Sequence, residues 1–303
     1  MPSLSRRRRP GLLGEGELVL LAGRLRAVDS LLCIGLECCI IHRPSDRGHA
    51  LFRPRFSPHA LSPMRQTTAA ETILAALQAV AFERSQRATD PTLAARVERL
   101  KNYQQRRFSH SYADLLASPR YGAAARFFLE DLYGPRDFSE RDAQFARIVP
   151  ALVRLFPRDI VGTVGELATL HALSERLDSK MGRAMTSDLV DRDSYLAAWQ
   201  AVGEPAARET QVQLVLSIGS ALDRYTRVPM LNASLRMMRG PANTAGLGSL
   251  QRFLETGFDT FKAMRGADEF LATIGSRERA LLAALFEPAG TLEPQHQALV
   301  QLP

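Results

Sequence analysis

Three polar residues, His171, Ser174 and Asp178, fall on one apolar helical face within residues 160–181, with Glu175 beside them. The apolar members of that face are Ile160, Val164, Leu167, Leu170 and Met181, recurring at the three- and four-residue steps of a helix. Polar atoms on a buried face must find partners. His171 and Glu175 stand at i,i+4, a spacing that presents two ligands on one side, so a ligand or metal pocket is one reading. Asp131, at the edge of a preceding apolar face, is a further acid that could join them. The blander and commoner reading is that His171 donates to Asp178 or to a backbone carbonyl and merely satisfies the core. A Ser-His-Asp triad is not among the readings, because no oxyanion donors or nucleophile elbow accompany these residues.

Two other stretches carry charge in suggestive patterns. Residues 99–112, RLKNYQQRRFSHSY, interleave Arg99, Lys101, Arg106 and Arg107 with Tyr103, Phe108 and Tyr112. Such a mixture grips phosphates and stacks bases, which makes an RNA-associated protein one alternative. Arg236 and Arg239 stand one turn apart before Gly240, a candidate anion site, and Gly246-Leu247-Gly248 precedes a helix start. That short glycine pattern lacks a preceding strand and a third glycine, so no dinucleotide cofactor is expected, nor any other cofactor or resident metal. An arginine pair beside a helix turn is the commoner explanation.

The elements that must position these residues read as helices throughout. Thr68 and Glu71 form a capping box ahead of Ile73, Leu77 and Val80. Asp90-Pro91 starts a second helix with Leu93, Val97 and Leu100 inward, and Ser118-Pro119 repeats the device. Asp193 is the expected cap of a helix that Gly203 ends. Pro205 opens another, and its apolar run QVQLVLSIG, residues 211–219, is expected to be a central helix. Pro229 opens a helix expected to stop at Gly240-Pro241. Leu247 to Phe261 mark the next, and Ser276 is expected to restart the chain after Gly275. No βαβ alternation, hairpin signal or repeat stands out. The prediction is an all-α fold, a single bundle-like domain of roughly nine to eleven helices.

RFFLEDLYGPRDFSERD, residues 126–142, reads as the corner between two such helices. Tyr121, Ala125, Phe128 and Leu132 centre one apolar face, with Phe127 and Leu129 widening it. Arg126 and Glu130 form an i,i+4 surface pair, and Gly134-Pro135 stops the helix. Phe138, Ser139 and Asp142 then supply a staple, an N-cap and an acidic N3 for the next helix, which Pro150 bends. FFLEDLYGPRDF resembles a signature of a bacterial family of uncharacterised, all-helical proteins. MRGPANTAGLGSLQRFLETGF, residues 238–258, is similar to a second block of that family. The resemblance covers most of residues 64–287 and implies a fold but no activity.

Charge and composition divide the chain at Met64. Residues 1–63 hold 10 Arg against 5 acidic residues, while the remainder holds 29 basic and 27 acidic ones, so the body is close to neutral. That near-neutrality argues against nucleic acid as a partner. Cys33, Cys38 and Cys39 all precede Met64, which leaves no disulfide framework in the body and fits a cytoplasmic location. Glu15 and Glu17 interrupt the basic start and the apolar run Leu18–Ala22 is too short for a signal peptide, while Leu18–Ile41, with Arg24, Arg26, Asp29 and Glu37, is not expected to span a membrane. Residues 1–63 read as a disordered or spurious extension with the true start at Met64, residues 64–287 as the helical domain, and residues 288–303 as an irregular tail. The leading functional expectation is a non-enzymatic helical domain that binds a protein partner or a small ligand, with a homo-oligomer permitted. The alternative of a different class is an enzyme or metal protein using Asp131, His171, Glu175 and Asp178.

Overall fold

A computed structural model describes residues 68–132, 136–287 and 298–303. The expected extension over residues 1–63, the Met64 start and the Gly134-Pro135 helix stop lie outside the described residues. Within them the fold is all-α: twelve α-helices and no strand. In chain order they are α1 Ala69–Ala88, α2 Pro91–Ser111, α3 Ala113–Ala117, α4 Gly122–Phe127, α5 Ser139–Leu155 and α6 Arg158–Ala184. Then come α7 Arg192–Val202, α8 Pro205–Thr226, α9 Pro229–Met237, α10 Arg239–Thr244, α11 Gly248–Met264 and α12 Asp268–Phe286. A π turn, Phe128–Leu132, continues α4, and a 3₁₀ turn, Leu299–Gln301, follows α12.

The helix starts show how the sequence sets the boundaries. Thr68 Oγ1 accepts from Glu71 N at 3.3 Å and Glu71 Oε2 accepts from Thr68 N at 2.7 Å, a complete capping box. Asp90 Oδ1 accepts from Leu93 N at 3.0 Å, with Pro91 at the first helical position. Ser118-Pro119 does not start a helix: Ser118 Oγ accepts from the amides of Arg120 and Tyr121 within a turn, and α4 begins at Gly122 behind Tyr121, which makes no capping bond.

Four further boundaries differ from the sequence reading. α7 is capped by Asp191, not Asp193, because the box partner is Ser194, three residues on. Gly240-Pro241 does not end a helix; it opens α10, where a missing proline N–H goes unneeded in the first turn. Gly275 lies inside α12, which runs on because α8 crosses it closely, Leu216 Cδ1 standing 3.0 Å from where a Cβ would be. Ser139 is the first residue of α5, not its cap; Phe138 stands there with no side-chain bond, and Asp137 Oδ1 instead accepts from Ser139 N.

Three apolar clusters fill the interior. One joins α1, α5 and α6 around Ile73, Val149 and Ala168. A second joins α3, α4, α11 and α12 around Leu115, Phe261 and Phe270. The third joins α2, α6, α7 and α12 around Tyr103, Tyr195 and Leu281, and takes in Leu299 and Leu302 near the chain end. The long helix α6 runs against α1, α2, α7 and α8, and so presents its polar residues to several neighbours at once.

Candidate functional site

Glu175 is almost fully buried and meets three cations. Its Oε1 accepts from Arg84 Nη2 at 3.2 Å and from Lys101 Nζ at 2.9 Å, and its Oε2 from Arg87 Nη2 at 2.5 Å. Arg87 also donates to Ser179 Oγ at 2.7 Å. Burial alone would raise the Glu175 pKa, but Lys101, Arg87 and Arg84 outweigh it and bring the carboxyl from 4.5 to about 2.

His171 does not face Glu175 as a co-ligand, nor does it pair with Asp178. Its Nε2 lies 2.9 Å from Asp142 Oδ2 on α5. Burial would raise Asp142, but the hydrogen bond and charge of His171, with Arg141 and Arg84, take it from 3.8 to about 2. An ionised Asp142 can only accept, so His171 Nε2 is the donor of this bond. Arg84 Nη2, 3.3 Å from the same nitrogen, is then a neighbour there, and its Nη1 bonds Asp142 Oδ2 at 2.9 Å. Arg141 grips Asp142 Oδ1 from the other side, with Nε at 3.3 Å and Nη2 at 3.2 Å.

The remaining candidates are spread out. Ser174 Oγ accepts from Gln211 Nε2 of α8 at 2.9 Å. Asp178, buried, meets Gln104 Nε2 at 3.5 Å and Lys101 Nζ at 3.9 Å. Asp131 has its carboxylate 3.9 Å from the exposed Arg136, and its carbonyl accepts from Arg141 Nη1 at 2.6 Å. Arg236 and Arg239 pair with Asp259 and Glu255, so each already holds an anion. In the 99–112 stretch, Tyr103 and Tyr112 are buried, Lys101 binds Glu175 and Arg107 binds Glu278, which turns most of the basic and aromatic side chains inward. Among the described residues, no group of three or more His, Cys, Asp and Glu is placed to hold a metal.

These clusters border a single chamber of about 340 Å³. Every helix except α9 and α10 contributes to its wall, and all three apolar clusters do as well. Its lining is mainly Leu, Ile, Val and Phe, interrupted at two places. At one, Arg141, Asp142 and His171 reach it. At the other, Arg107 and Glu278 form a two-pronged pair, 2.5 and 3.1 Å, with the Tyr112 hydroxyl donating to Glu278 at 2.5 Å. Burial lowers the Arg107 pKa, but Glu278 more than reverses this; burial and Glu278 together push Tyr112 far up. Between the two lies a relay across α7, α8 and α6. Arg208 sits 3.8 Å from the Trp199 ring centroid and donates to Gln211 Oε1 at 3.2 Å, and Gln211 reaches Ser174.

His171, Ser174 and Asp178 thus line the chamber, Glu175 supports its wall from behind, and Asp131 stands outside it. Asp142, Arg84, Arg87, Arg208 and Glu278 were not among the sequence candidates. A signal for them existed: each continues the apolar stripe of its own helix. Arg84 and Arg87 follow Ile73, Leu77 and Val80 at helical spacing, and Glu278 lies between Leu271 and Leu281 on α12. A charge at a core position needs a buried counter-charge, which is what these residues supply to one another.

Fold and site define an all-α domain with a largely apolar pocket and a buried charge network in its wall. The chain belongs to the family described as a domain of unknown function (DUF8198), whose model matches residues 83–291. No curated protein and no solved structure matches the chain. Among the described residues, no helix is long and apolar enough to cross a membrane.

Proposed function

We propose that this domain is a binding protein for a small, largely apolar molecule, held in the central chamber without chemical conversion. The observation that carries the reading is the chamber itself. Its volume falls in the range of ligand sites, and apolar walls with a few polar groups are the usual make-up of such sites.

The chain has one tryptophan, and Trp199 lines the chamber, so uptake is read directly from its emission. The neutral probe N-phenyl-1-naphthylamine is expected to bind saturably, one per chain, with Trp199 emission quenched by transfer. Ala168→Phe, which puts a ring where a buried chamber-lining alanine stands, is expected to abolish uptake while circular dichroism stays helical. A wild-type chain that neither takes up the probe nor loses Trp199 emission would overturn the reading.

A further inference from the structure

Among the described residues seven large apolar side chains are exposed, and four of them belong to one part of the surface. Val228, Met230 and Met237 lie on or beside α9, and Leu254 lies on α11, against which α9 packs. None of the nine residues of α9 is buried. Met230, Ala233 and Met237, spaced i, i+3, i+7 on one face, are all exposed. The helix is held by other positions: Gln251 Nε2 donates to Leu235 O at 2.6 Å, and Arg236 Nη2 reaches Asp259 at 3.4 Å. A surface helix ordinarily turns its apolar stripe inward, whereas this one presents an apolar stripe outward.

The charge around the stripe selects what covers it. Between the end of α8 and the start of α12, residues 227–267 hold six basic residues, Arg227, Arg236, Arg239, Arg252, Lys262 and Arg265, against two acids, Glu255 and Asp259. All six are exposed. Arg239 pairs with Glu255, Arg236 with Asp259, and Arg227 with Asp223 of α8. Six cations less these three acids leave +3, while the whole of residues 64–303, 29 basic against 27 acidic, nets only +2. The positive charge of the body is therefore concentrated here.

A second copy of this chain would bring the same positive surface against it, and residues 1–63, with 10 Arg against 5 acids, are positive too. A nucleic acid would engage the arginines but gains nothing from an outward face of methionine and valine, which offers no ring to stack on. An anionic bilayer answers both features, its headgroups meeting the cations and its acyl boundary taking the apolar stripe.

We infer that α9 and the adjoining surface of α11 dock on an anionic lipid bilayer, with Val228, Met230 and Met237 entering the interface. The docking is peripheral, since a nine-residue helix cannot span a bilayer. Leu254 is also a wall residue of the chamber, so docking brings one edge of the chamber to the membrane. The docking does not depend on what the chamber holds.

The experiment is co-flotation of the full-length chain with vesicles of phosphatidylcholine and phosphatidylglycerol in equal parts, and with vesicles of phosphatidylcholine alone. Binding to the mixed vesicles is expected to be about tenfold or more tighter than to the neutral ones, and to weaken as salt is raised. Met230→Asp combined with Met237→Asp is expected to weaken it by about tenfold or more, while circular dichroism and uptake of the neutral naphthylamine stay as in the wild type. Both positions are exposed, so neither substitution disturbs the core. No flotation on mixed vesicles overturns the proposal, whether or not the chain binds poly(U) RNA in the same buffer. Flotation that the double variant retains in full also overturns it, because that variant still carries the basic residues 1–63.

Discussion

The ring of Phe127 lies directly over Gly257, its Cζ 2.9 Å from the position a Cβ would take on that glycine. Phe127 belongs to the FFLEDLYGPRDF stretch and Gly257 to the second family-like block. Further contacts join the first block and the start of α5 to the second. Phe127 stacks on Phe253 at 5.5 Å, Arg141 covers Phe253 at 4.7 Å, and Gln144 Oε1 accepts from Leu250 N at 2.9 Å. The two stretches that look most distinctive in sequence are one interface in the fold, between α4–α5 and α11.

Gly257→Ala tests that approach. Alanine favours the helix by about 1 kcal/mol, but the added carbon forces a buried ring aside, and overpacking of this kind costs about 1–3 kcal/mol. The expected net is a loss of about 1 kcal/mol, seen as a lower urea midpoint with an unchanged slope. A gain in stability would show that the ring yields freely.

Glu175→Gln leaves Arg84, Arg87 and Lys101 facing a neutral amide. Removing one partner from a buried charge cluster costs about 3–5 kcal/mol, because the remaining charges stay buried. Chemical unfolding is expected to register a loss of that size. A change below about 1 kcal/mol would mean that water reaches the cluster and screens it.

Acid should unfold the protein through Glu175 and Asp142. Both carboxyls titrate lower in the folded chain than in the unfolded one, from 4.5 and 3.8 respectively to about 2. The unfolded chain therefore binds protons first, and the stabilisation is fully present above about pH 5 and lost as pH falls toward 2. Thermal melts across pH 7 to 2 are expected to stay level and then drop steeply below about pH 4.5. In Asp142→Asn the drop is expected to be shallower, since one of the two groups no longer titrates.

Leu299→Ala tests whether the chain end belongs to the core. Leu299 is 2% exposed, while its neighbour Val300 is 61% exposed. Around them His110 Nε2 meets Val300 O at 2.9 Å and Ser111 Oγ donates to Gln301 O at 3.4 Å. Leu299→Ala is expected to cost about 2–3 kcal/mol and Val300→Ala close to nothing. Equal effects would place the segment outside the cooperative unit.

Helix starts were legible because their signals are local. Thr68 with Glu71 and Asp90 with Pro91 each need only three or four residues to specify an end. The helical reading of residues 211–219 rested on Pro205 and held, since α8 spans them. The candidate site was legible only in outline. A face can be read from spacing, so His171, Ser174 and Asp178 were found, and all three line the chamber. Which group they meet depends on how helices cross. Asp142 looked like a capping residue because it sits three positions after Ser139, yet the crossing of α5 over α6 gives it to His171. Glu175 looked like a ligand partner of His171 because both share one helix, whereas α1 and α2 surround it with cations. The chamber had no sequence signal, since the leucines that line a void are the same residue type as those that fill a core.

The π turn at Phe128–Leu132 has an evolutionary reading. Such a turn holds about one residue more than an α-turn, so it has room for one extra residue without breaking the helix. Phe128, Leu129 and Leu132 all reach the chamber from it. A homologue lacking that residue would wind here as plain α-helix, its later side chains rotated by about 100°. Length differences of one residue at this place should therefore track differences in the shape of the wall that Phe128, Leu129 and Leu132 form.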